Sequence, residues 1–163
     1  MKLFDRDDRL YTFLVIGAVL GLGSVPFWIL EGVTRRGVED LDTTGFTQMA
    51  VVDGYWKRKS DSGTCSDPAT AIFAFADKVV VRQAGNEAVA GTKPVYRSSG
   101  NRLLMEYDTR DAADAAADKR VRFLYKVRPT ELDVAGVWIN GIGGMLKEPS
   151  PKASFTRCNE RPG

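Results

Sequence analysis

A chain of 163 residues with 23 basic and 21 acidic side chains, neither sign gathered into a block, has room for one modest domain and an appendage and offers no broad field for nucleic acid. It contains no histidine, which removes the usual general base, the usual activator of a serine or cysteine nucleophile, and a common ligand of zinc and haem. Two isolated cysteines do not make a four-ligand metal site, so the expectation is a protein without cofactor, without a metal and without catalysis.

Residues 1–9 form a short charged tail with Lys2, Arg6 and Arg9 among its basic groups. Residues 10–30 follow, 21 positions without a charge. At about 1.5 Å rise per residue a helix of that length crosses the roughly 30 Å hydrocarbon core. The run carries glycines and a proline, poor helix formers in water, yet in lipid the backbone must pair internally and glycine costs less. Gly17 and Gly21, with Ser24 near the same side, make a small-xxx-small face on which a partner helix approaches closely; glycine without a specific partner is the plainer alternative. Pro26 lacks an N–H and deprives the Leu22 carbonyl of its helical donor, which predicts a kink. Tyr11 and Trp28 stand near the ends of the run, where amphipathic rings favour the headgroup region.

A cleaved signal peptide is the rival reading, but its apolar core spans about 7 to 15 residues and ends at an A-x-A-like site. The nearest approximation here is Leu22-Gly23-Ser24, and an uncleaved anchor is expected. Basic residues before the span outweigh Arg35 and Arg36 after it, which predicts a cytoplasmic amino terminus and an exported, periplasmic body on a bacterial inner membrane.

Residues 31–49 are polar and turn-rich and read as a linker, with Phe46 and Met49 opening the core. The remaining body, residues 50–163, breaks into short alternating or β-branched runs: 50–59, 70–76, 78–83, 93–97, 102–108, 119–128, 131–139 and 153–158. AGNEA and SSGN, between these runs, read as turns. The fold class is mainly β, with one transmembrane helix ahead of a small antiparallel barrel or sandwich of seven or eight strands.

Gly54-Tyr55-Trp56 on the first of these runs resembles the G-x-W element of lipocalin-like (calycin) barrels. That resemblance implies that a basic residue of the last strand covers the tryptophan, and Arg157 is the residue so placed. It also implies a ligand-carrying interior, for which Trp56, Phe73, Phe75, Tyr96, Tyr107 and Phe123 are the candidate lining.

Cys65 and Cys158 lie 93 positions apart and are read as a structural disulfide, which persists only in an oxidising compartment. Free thiols and a redox pair are the alternatives, the latter without CxxC spacing or a histidine. Asp111, Asp114 and Asp118 share one side if their segment turns helical, but the stretch lacks the glycine turn and bidentate glutamate of a calcium loop. Trp138, Ile139, Ile142, Met145 and Leu146 mix with glycines in a stretch without the lysine of a phosphate loop. It reads as an apolar loop that docks on membrane or a partner, or else plugs the barrel mouth.

The combined expectation is a non-catalytic accessory or assembly subunit of a larger membrane complex, with membrane lipids and other transmembrane subunits as partners. The alternative is a membrane-tethered, lipocalin-like barrel that binds a small apolar ligand.

Overall fold

The computed structural model describes residues 41–109 and 119–159. Ten strands follow in chain order: β1 Thr47–Met49, β2 Val52–Arg58, β3 Ile72–Phe75, β4 Val79–Gln83, β5 Asn86–Ser99, β6 Arg102–Thr109, β7 Lys119–Arg128, β8 Glu131–Ile139, β9 Ile142–Met145 and β10 Phe155–Cys158. The ladder runs β5-β4-β3-β2-β10-β8-β7-β6 and returns to β5, every pairing antiparallel, so eight strands close into a barrel. Closure leaves no exposed edge along the ring, and the choice between barrel and sandwich is thereby settled. The expected membrane span and the acidic stretch 111–118 lie outside the described residues, among which there is no helix.

The alternation that marks a half-buried strand also decides which side chains point inward. On β7 Val121, Phe123 and Tyr125 enter the core, while Arg122 and Lys126 take the other face. Inside, the rings of Phe73, Phe75 and Phe155 meet edge to face or stacked, with centroids 5.1 to 6.4 Å apart. Tyr107, Phe123 and Tyr125 continue as a stacked series at 6.0 and 5.9 Å. Each such pair adds about 0.5–1.5 kcal/mol beyond the area it buries.

Three differences from the sequence reading have local causes. The stretch AGNEA contributes only two residues to its turn, Ala84 and Gly85, both at positive φ, so Asn86 already opens β5. That strand then runs through Lys93, which holds φ 49°, and its register against β6 shifts between Thr92 and Val95. The bend lets one strand serve two neighbours on the same side: its first half pairs with β4, its second half with β1. The last three residues of the stretch read as linker, Thr47 to Met49, are therefore strand. Likewise the glycine-rich stretch read as an apolar loop is the β8–β9 hairpin, turning at Asn140 and Gly141.

Cys65, in the loop after β2, and Cys158, at the end of β10, are joined as a disulfide with Cα atoms 5.7 Å apart. The bond closes 93 residues, and chain entropy assigns a loop of that length about 4–5 kcal/mol.

Candidate functional site

The resemblance to lipocalin-like barrels predicts a contact between the first and last strands of the ring, and that contact is present. Arg157 on β10 pairs in register with Trp56 on β2, and its guanidinium carbon stands 5.9 Å from the centre of the indole ring. Gly54, two residues before, is at φ +103°, and a Cβ there would come within 2.8 Å of Arg157 Nε. Both facts require glycine: the backbone sits where L side chains are strained, and the space is taken by the arginine. Arg157 itself remains exposed, capping the barrel at this end.

Beside this cap lies a half-open cavity of about 500 Å³. Met49, Val52, Trp56, Leu103, Val127 and Leu132 make its apolar walls, and Arg102, Arg128 and Arg157 stand at it. Trp56 is 4% exposed and its Nε1–H has no hydrogen-bond partner.

Two residues further along β2, the alternation that buries Trp56 turns Arg58 inward as well. Its guanidinium carbon lies over the Phe73 ring, 5.0 Å from its centre, a cation–π contact. The edge of the guanidinium carries the N–H donors. Nε and Nη2 are shut off from solvent and have no hydrogen-bond partner, and Arg58 makes no ion pair among the described residues. Burial lowers its pKa, opposed by the charge of Asp61 and the nearby Tyr107 and Tyr125 hydroxyls. Burial also pushes the Tyr107 and Tyr125 phenols well above their ordinary range, so both remain donors at neutral pH. The Tyr96 hydroxyl is buried without a partner, and burial together with the charge of Asp77 raises its pKa too.

Several other charged groups of the barrel are paired on its outside. Asp133 receives Lys59 Nζ at 2.7 Å and meets Arg128 Nη2 at 2.7 Å, the latter off the hydrogen-bond direction. Burial opposes the charge on Lys59, but its bonds to Asp133 and Glu131 prevail and raise its pKa. On the outer face of β6 and β7, Glu106 collects Arg122 at 3.4 Å and Arg97 and Arg120 at 3.9 Å, while Asp108 takes Arg120 at 3.1 Å. Unlike these paired groups, Arg58 keeps two buried nitrogens without a partner.

All six residues put forward as lining are in the buried core. Tyr125 and Phe155 join them there, and Arg58 was not anticipated, although its two-residue offset from Trp56 signals its inward position. In the β8–β9 hairpin Trp138 is buried, its ring packed over Gly136, while Ile139 and Leu146 pack against the core. Only Ile142, 68% exposed, and Met145, 43% exposed, present apolar surface outward. Gly17, Gly21, Ser24 and Pro26 lie outside the described residues. Among the described residues no three His, Cys, Asp or Glu side chains gather as a metal site. No protein-family model, curated protein or solved structure matches this chain.

Proposed function

We propose that this chain is a non-catalytic binding protein: a lipocalin-like barrel, tethered by residues 10–30 to the outer side of a bacterial inner membrane, that holds a small amphipathic molecule bearing an acidic group. The observation that carries the reading is the Arg58 guanidinium, buried against Phe73 with Nε and Nη2 unpartnered. A buried cation is ordinarily neutralised by a carboxylate of its own chain, because leaving it unpaired forfeits hydration without compensation. Here the ring meets the ion without satisfying its N–H donors, and Nε and Nη2 together have the shape that matches a carboxylate or another oxyanion. Tyr107 and Tyr125, protonated beside it, supply neutral donors, and the surrounding Phe73, Phe155 and Phe123 rings suit an apolar body. The disulfide supports placement in an oxidising compartment.

Calorimetric titration of the full chain in bilayer nanodiscs, with empty nanodiscs subtracted, tests this reading with decanoate and methyl decanoate. The acid should bind at least about tenfold tighter than the ester, the worth of one charge-assisted contact. Arg58→Met should erase that preference. Equal binding of acid and ester by the native chain, or an undiminished preference in Arg58→Met, contradicts it.

A second reading, an accessory subunit of a membrane complex, is favoured by the exposed Ile142 and Met145 at the two ends of β9. Changing both to lysine should release neighbouring subunits during purification in gentle detergent; unchanged co-purification counts against it.

A further inference from the structure

The cavity at the Trp56 end is distinct from the Arg58 position and differs from it in chemistry. No acidic side chain lines it. Of its three arginines, Arg128 is neutralised by Glu131 at 3.0 Å and Asp133 at 2.7 Å. Arg157 lies on Trp56 and Arg102 on the Phe46 ring at 5.2 Å; neither makes an ion pair among the described residues. Two cations thus lie on aromatic rings without an ion pair among the described residues, Arg102 also feeling the charge of Asp42, above apolar walls of Met49, Val52, Leu103, Val127 and Leu132 and beside the unpartnered Trp56 Nε1–H.

The path of the chain places this end of the barrel. Residues 41–46 lead directly into β1, whose Met49 is part of the cavity wall and whose partner is the stretch of β5 that ends at the cavity. Only residues 31–40 separate residue 41 from the end of the apolar run, and ten residues reach at most about 35 Å. With the tether of the preceding reading, this end of the barrel stays within about 35 Å of the bilayer and within reach of its lipids.

From the cavity, its basic rim and its place beside the tether, we propose that it takes a membrane phospholipid: an anionic phosphate headgroup on Arg102 and Arg157, and part of an acyl chain against the apolar walls. A phosphate oxyanion matches the in-plane donors of arginine, and the mixture of apolar wall and basic rim matches an amphiphile better than a free ion. The proposal rests on the membrane tether of the preceding reading and is independent of the ligand assigned to Arg58.

Photo-crosslinking distinguishes it. The full chain is reconstituted in phosphatidylcholine vesicles containing phosphatidylglycerol with a photoactivatable acyl chain, and adducts are mapped by peptide mass spectrometry. Adducts should fall on residues of the cavity wall. Replacing the probe by phosphatidylcholine with the same chain, or introducing Arg102→Gln, should lower their yield about tenfold. Ser98→Trp, which fills the cavity from β5, should lower it similarly with the circular dichroism of the barrel unchanged. Adducts absent from the cavity wall, or equal for the two lipids, or undiminished by both variants, overturn the proposal. Suppression by millimolar inorganic phosphate overturns the lipid and assigns the site to a free oxyanion. Because decanoate binding at Arg58 is read separately, either proposal fails without the other.

Discussion

Arg157 and Arg58 both lie on aromatic rings, and their surroundings make them opposites. Arg157 covers Trp56 at 5.9 Å and faces solvent; Arg58 covers Phe73 at 5.0 Å and two of its nitrogens are sealed from water. In the first case the ring contact adds to a hydrated ion and costs little. In the second the ring replaces only part of the lost hydration, since a π face does not satisfy the in-plane donors. One pair is therefore a solvated contact and the other leaves buried donors unsatisfied.

Breaking what holds both pairs in place has the largest effect. β2 and β10 carry Trp56, Arg58 and Arg157, and the Cys65–Cys158 bond ties the end of β10 to the loop that follows β2. Changing both cysteines to serine should cost about 4–5 kcal/mol, seen as a lower urea midpoint; a midpoint within error of the native one would show that the bond constrains little. Next, Arg58→Met should stabilise the ligand-free protein by about 1–4 kcal/mol, the range found when buried ionic groups give way to apolar ones, read as a higher midpoint. Loss of stability on that change would mean that the native arginine is already satisfied. At the other pair Gly54→Ala should cost about 1–3 kcal/mol through the φ of +103° and the displaced Arg157 side chain.

Alkaline titration gives the smallest signal. Tyr96, Tyr107 and Tyr125 hold their protons more tightly when folded than unfolded. The stability linked to them is intact below the ordinary tyrosine value of about 10 and is lost as pH rises beyond it. Lys59, also raised, acts in the same sense and loses its contribution as it deprotonates. Tyrosinate absorbance should thus appear together with unfolding; smooth titration of the folded barrel would contradict the burial of these hydroxyls.

The alternation of β2, β7 and β8 made the antiparallel architecture readable, because a half-buried strand writes its two faces into neighbouring residues. β1 was harder: three residues do not establish a period, and Thr47-Gln48-Met49 becomes a strand only because the bend at Lys93 exposes part of β5 to be paired. β9 was obscured by glycines whose place is set by tertiary packing, such as Gly143 against the Val137 carbonyl. The cap formed by Gly54, Trp56 and Arg157 was legible because a short motif encodes it. The cavity was not, since its lining comes from β1, β2, β5, β6, β7, β8 and β10 and meets only when the ring closes. Arg58 was legible in principle by parity with Trp56, but an arginine next to Lys57 and Lys59 reads first as part of a solvated face.

The contrast between the two arginines is most directly tested by the guanidinium Nε–H resonances of the ¹⁵N-labelled full chain in nanodiscs, followed as decanoate is added. The binding account predicts that the Arg58 resonance moves downfield and saturates while that of Arg157 stays in place. An Arg58 resonance that does not move, or that moves only in step with Arg157, contradicts it.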